Sequence, residues 1–104
     1  MIITVYKVMN KLSFKNIELY LDEYGCTVDK SEVCLSKTEY FLLKFFMENP
    51  NKVFNRNEII SAVWTKRVSI RSVDSAVLNL RKKLGGSGKY IRTRPGFGYG
   101  ILDH

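Results

Sequence analysis

Two helix-start signals, nineteen residues apart, set most of what this chain can fold into. In Ser36-Lys37-Thr38-Glu39 the first side chain can accept a backbone N–H while the glutamate three places on reaches back, a reciprocal cap. Leu35 and Tyr40 stand where a hydrophobic staple would hold the entering chain. The pattern predicts a helix from Lys37 to about Glu48, with Leu42, Leu43, Phe45 and Phe46 on one apolar face and Asn49-Pro50-Asn51 as its stop. The same device returns in Asn55-Arg56-Asn57-Glu58, with Phe54 and Ile59 as the staple pair. It opens a second helix carrying Ile59, Ile60, Val63 and Trp64.

A third helix, over about 70–84, is announced by spacing rather than by a cap. Val73, Val77, Leu80 and Leu84 recur at i, i+4, i+7 and i+11, a single stripe for the core. At about 100° per residue the opposite side carries Arg71, Ser75, Leu78 and Lys82, with Ser72 and Asn79 on one flank. After Asp74 that outward face holds no acid. A helix made only for solubility would alternate Glu with Lys; one lying in a DNA groove would exclude acids, because each repels phosphate.

Strand patterns flank the helices. Residues 17–35 alternate and turn through Ile17, Leu19, Leu21, Cys26, Val28, Val33 and Leu35, reading as two or three short antiparallel strands. A hairpin turning at Lys30-Ser31 would put Cys26 on the face of Val28, Val33 and Leu35, with Cys34 on the other. That geometry argues against a disulfide. At the other end, Gly85-Gly86-Ser87-Gly88 reads as a flexible linker that closes the third helix. Tyr90–Thr93 and Gly98–Leu102 then read as paired strands. Arg94-Pro95-Gly96-Phe97 between them suits a type II turn.

Charge is sorted along the chain. Residues 1–63 hold eight bases and eight acids, whereas Trp64–Arg94 hold nine bases against Asp74 alone. Solvation would not sort charge this way, and the concentrated field selects a polyanion. Six Tyr and six Phe in 104 residues belong to one folded domain rather than to a basic tail. No run of about eighteen apolar residues is present for a membrane span. Met1–Val8 has the wrong flanks for a secretory signal, so residues 1–16 read as a leader or an added strand before a domain at 17–104. Free thiols and no signal fit a cytoplasmic location. No nucleophile–base pair, metal cluster or cofactor motif is visible, which speaks against an enzyme. Gly85–Lys89 fails as a phosphate loop, because Tyr90 follows the lysine and a helix precedes the glycines. Asp74, near a helix start, reads as structural, and His104 has no evident role.

The ordered set of pieces resembles the winged-helix output domains of OmpR/PhoB-type bacterial response regulators and the related ToxR/CadC-like domains. The resemblance rests on Leu35-Ser36…Glu39-Tyr40…Leu42-Leu43, Val53-Phe54-Asn55-Arg56…Glu58-Ile59-Ile60…Val63-Trp64, Arg71-Ser72-Val73-Asp74…Val77…Leu80-Arg81-Lys82-Lys83-Leu84 and Tyr90-Ile91-Arg92-Thr93…Gly96-Phe97-Gly98-Tyr99. It covers residues 17–102. It implies an α+β winged helix-turn-helix: a short N-terminal antiparallel sheet, three helices and a C-terminal β-hairpin wing. It also implies a sequence-specific regulator of transcription that binds double-stranded DNA at tandem or repeated half-sites. The helix over 70–84 would enter the major groove and the wing over 90–102 the minor groove.

By that resemblance Arg71, Ser72 and Arg81 would touch phosphates and Asn79 would take the base-reading position. Trp64, Thr93 and Tyr99 would add backbone contacts. Lys66 and Arg67 in the preceding loop, Ser75, Leu78 and Lys82 on the outward face, and Arg94 at the turn complete the DNA-facing set. The Thr65–Ile70 loop corresponds to a segment that touches RNA polymerase in some members, and it is a residue or two short here. A homodimer on DNA is also within the family's habits. Phosphorylation-driven dimerisation through a preceding receiver domain is not expected of this chain. Where many members carry a basic or histidine-rich run, this chain has Ala76, Leu78 and Asn79; where the wing usually bears its basic residue, it has Pro95. An amide such as Asn79 can pair with adenine, and Leu78 can pack on a thymine methyl. The competing reading is a winged-helix module for protein partners, with only nonspecific nucleic-acid contact, which the apolar Leu78 and Phe97 would serve. RNA is a weaker third, since no stacking aromatics punctuate the basic helix.

Overall fold

The computed structural model describes residues 10–103; the expectations for Met1–Val8 and His104 lie outside them. A four-stranded antiparallel sheet comes first, in the order β1 (Lys11–Phe14), β2 (Ile17–Tyr20), β3 (Gly25–Val28) and β4 (Ser31–Val33). Three helices follow: α1 (Lys37–Glu48), α2 (Arg56–Val63) and α3 (Ile70–Leu84). A 3-10 turn over Gly85–Tyr90 then leads into the hairpin of β5 (Ile91–Arg94) and β6 (Gly98–Ile101). Three strands do lie within 17–35, and β1 adds a fourth at the sheet edge beside β2.

Both capping boxes form. Glu39 N–H donates to Ser36 Oγ at 3.2 Å and Ser36 N–H to Glu39 Oε1 at 2.8 Å. Glu58 N–H and Asn55 N–H make the same exchange at 2.8 and 2.9 Å. The α3 stripe is buried as its spacing demands, with Val73, Val77, Leu80 and Leu84 all at 2% exposure or less. It meets Leu42, Leu43 and Phe46 of α1, Ile59 of α2, Ile17 and Leu19 of β2, and Ile91 and Ile101 of the hairpin in one core. Burying that stripe points the other side of α3 outward.

Two local expectations need correction. The β3–β4 hairpin turns at Asp29-Lys30, not Lys30-Ser31, with φ of 51° and 67° at the two turn residues and Cys26 opposite Val33. A two-residue turn with both φ positive matches the twist of the flanking strands. The pairing therefore differs by two residues, and a shift of two keeps every side chain on its face. Cys26 is accordingly buried, Cys34 exposed, and both thiols free. The second correction concerns Gly85–Gly88, which is no loose linker. Ser87 is buried and its hydroxyl donates to Asn16 Oδ1 at 2.7 Å, tying the turn to the β1–β2 corner. A Cβ on Gly88 would stand 2.3 Å from the Arg81 carbonyl oxygen, so only glycine lets the chain double back so closely on α3.

The hairpin is braced against the loop between α1 and α2. Phe54 and Tyr99 exchange backbone hydrogen bonds of 2.8 and 3.0 Å. Gly98 makes that contact possible: its φ is +137°, and a Cβ there would lie 1.9 Å from the Phe54 carbonyl oxygen. At the tip, Phe97 N–H donates to Arg94 O at 2.9 Å and Gly96 takes φ +83°, as the type II turn requires.

Candidate nucleic-acid interface

The exposed side of α3 carries Arg71, Ser75, Leu78, Asn79 and Lys82, with Ser72 half-buried on its flank. Arg71 and Lys82 share that side, at spacings that return to the same azimuth. Beside them lies a shallow concavity of about 400 Å³. Its walls are Ser36, Thr38 and Glu39 at the start of α1, Trp64 at the end of α2, and Arg71, Ser72, Ser75, Ala76 and Asn79 of α3. Trp64 is half-buried there and its backbone N–H caps α2 by donating to Ile60 O at 2.9 Å. The concavity thus gathers five residues expected to face DNA. It also adds Ser36 and Thr38, which sequence reasoning passed over. The signal was available, since the first capping box fixes where the free N–H groups of α1 must point.

Asp74 is the single acid between Trp64 and Arg94, and the structure neutralises it. Its Oδ1 accepts the Tyr99 hydroxyl and, at 2.8 Å, Arg56 Nε. These two donors, Tyr99 first, hold the carboxyl below the usual aspartate range. The same bond raises Arg56 further. The guanidinium carbons of Arg56 and Arg81 lie 5.7 and 5.8 Å from the Tyr99 ring centroid. Asp74 therefore joins α3, α2 and β6 while leaving the outward face of α3 without a negative group.

The remaining expected residues divide. Lys66 and Arg67 are exposed in the loop before α3. Arg81 is half-buried and turned to the hairpin, where its Nε donates to Ile91 O and its Nη2 to Thr93 Oγ1, both at 2.7 Å. Thr93 stays exposed with that bond in place. Arg94 is half-buried near the hairpin tip, beside Val53, Asn55, Glu58 and Phe97. Tyr99 is turned inward at 7% exposure, its hydroxyl engaged by Asp74. Lys83, basic in sequence, serves the fold: its Nζ donates to Glu39 Oε1 at 2.8 Å. Burial pushes the Glu39 carboxyl up, but Lys83 and the Ser36 N–H outweigh it and hold it below the ordinary value.

Three helices with a cationic, acid-free face on the third and a braced hairpin alongside define a winged helix-turn-helix domain. Residues 30–101 match the family described as transcriptional regulatory protein, C terminal, and the chain belongs to that family of OmpR/PhoB-type DNA-binding domains. Among similar proteins, a probable transcriptional regulatory protein of Picosynechococcus sp. is 38% identical over 83% of this chain and 36% of its own length. The transcriptional regulatory protein SrrA of Staphylococcus aureus is 35% identical over 85% of this chain and 39% of its own. The chain therefore spans well under half the length of these relatives. Among solved structures, the DNA-binding domain of the response regulator AdeR, crystallised with an intercistronic region, superposes with a TM-score of 0.81. It shares 33% identity and covers 88% of this chain and 99% of that one. The response regulator DrrB of Thermotoga maritima, an OmpR/PhoB homologue, gives 0.80 at 26% identity, covering 88% of this chain and 44% of that one.

Proposed function

We propose that this domain binds double-stranded DNA in a sequence-specific manner and regulates transcription, with α3 in the major groove and the β5–β6 wing at the minor groove. The observation that carries the reading is the outward face of α3. It presents Arg71 and Lys82 with Ser75, Leu78 and Asn79 between them, while the two acids beside it are held, Asp74 by Arg56 and Tyr99 and Glu39 by Lys83. Arg71, Ser72 and Lys82 position the helix on phosphates together with Trp64, Lys66 and Arg67; Asn79 and Leu78 read bases. Ser36 and Thr38 at the start of α1 face the same concavity and join the phosphate-facing set. Arg81 and Thr93 act as a linked pair that fixes the wing to α3, and Tyr99 serves from inside through Asp74. Tandem or repeated half-sites, a homodimer on DNA and contact of the Thr65–Ile70 loop with RNA polymerase extend the proposal to the assembly.

The test is a selection from random duplexes followed by binding titrations at several salt concentrations. Several phosphate contacts predict a loss of roughly three decades of affinity between about 50 and 200 mM salt. A flat salt response, or no enrichment of any duplex, overturns the reading and favours a protein partner.

A further inference from the structure

We propose that the wing tip is a minor-groove wedge: Phe97 presses between bases at a weakly stacked pyrimidine–purine step and bends the duplex. The proposal rests on the DNA reading above and adds shape selection to it. Phe97 is 75% exposed, more than Tyr24, Ile70 or Leu78, and it stands at a turn whose other members are Arg94, Pro95 and Gly96. A protein-binding surface needs a contiguous apolar patch. Phe97 instead offers one ring, with Arg94 and the exposed Pro95 and Gly96 beside it. A wedge needs no more than that.

The arm behind the ring is stiff, and a wedge works only if its mount does not yield. Gly98 is held against the Phe54 carbonyl, and Phe54 and Tyr99 exchange two backbone hydrogen bonds. Arg81 grips both Ile91 O and Thr93 Oγ1. The charge at the tip is that of Arg94, which shares a hollow with Phe97 and with Glu58, while the strands behind it carry Arg92 and no acid. Burying one phenyl ring offsets the loss of stacking only where the stack is weak, as at TpA and CpA steps. The wedge therefore reads deformability at a position where the protein makes no hydrogen bond to a base.

The test uses the full chain and a duplex enriched in the selection, with 2-aminopurine replacing successive adenines in the flank and a donor–acceptor dye pair on the ends. One 2-aminopurine next to a pyrimidine should brighten on binding, and the ends should approach. Phe97→Ala should abolish both signals. It should lose about tenfold affinity on the TpA duplex, and less than about twofold where GpC replaces that step. Its salt dependence should match wild type, because no phosphate contact is removed. Phe97→Leu should keep part of the signal. If wild type binds with steep salt dependence yet no position brightens, the wedge is wrong and the DNA reading stands. If Phe97→Ala brightens and bends the duplex as wild type does, Phe97 serves another partner. If wild type binds no duplex at low salt, the DNA reading falls and takes the wedge with it.

Discussion

Cations in the two halves of this domain pair with acids in different proportion, four of the seven described before Trp64 against one of the nine from Trp64 to Arg94. In the first half, Lys11 and Lys30 both reach Glu18, Lys44 pairs with Glu48, and Arg56 with Asp74. From Trp64 to Arg94, Lys83 alone holds an acid among the described residues. Lys66, Arg67, Arg71 and Lys82 are exposed with no acid partner among them. The first set is committed to the fold and the second is available to an outside anion. Charge count would not have made that distinction, because Lys83 lies beside Lys82 in sequence and does the opposite job.

The sharpest way to break the comparison is charge reversal on the second set. Arg71→Glu with Lys82→Glu should weaken every duplex on the order of a hundredfold, since two exposed cations proposed to face phosphate become repulsive. Because both are exposed, the thermal midpoint of the free domain should stay put. A double variant that melts early and binds normally would place these residues with the structural cations. Next comes the division between positioning and reading. Asn79→Ala should relax preference at one base pair by about 1–3 kcal/mol, whereas Arg71→Ala should weaken all sequences alike. A uniform loss from Asn79→Ala would reverse the assignment.

Smaller effects test the committed charges. Asp74→Ala should cost about 1 kcal/mol of stability by denaturant titration, modest because the carboxylate is partly exposed and water replaces some of what is lost. Acid should find the same groups. Glu18, held by Lys11 and Lys30, joins Glu39 and Asp74 in lying below its ordinary value. A depressed native value means the folded state prefers the ionised form. The stability these groups supply is therefore full above the unfolded carboxylate range, near pH 4. It is lost as pH falls through their lowered native values. Urea titrations down the acid limb should show that decline, and Asp74→Ala should make it shallower. Smallest of all is the thiol contrast. Burial pushes Cys26 up to about 11, so alkylation of the native domain should label Cys34 first and reach Cys26 only on unfolding.

How much of this was legible depended on the range of the interaction. The bounds of α1 and α2 follow from capping boxes that close within four residues, and each side chain meets a partner on its own turn. The outward face of α3 followed from its buried stripe. Arg81 was legible only as a cation, since nothing nearby announces that Thr93 and Ile91, twelve and ten residues on, will claim its guanidinium. Tyr99 likewise carried no sign that Asp74 would draw its hydroxyl inward. The glycines after α3 carried a misleading signal: small residues allow either slack or close packing, and the approach of Gly88 to Arg81 with the bond from Ser87 to Asn16 decides which.

The sequence alone determined the helices, the alternation of the strands and the half of the chain where positive charge collects, because each depends on spacing that the backbone geometry converts directly into a face. Tertiary packing decided which cations stay free. A guanidinium or ammonium has no preferred partner until the fold brings one within reach, so the sorting of Lys83 and Arg81 from Arg71 and Lys82 exists only in three dimensions.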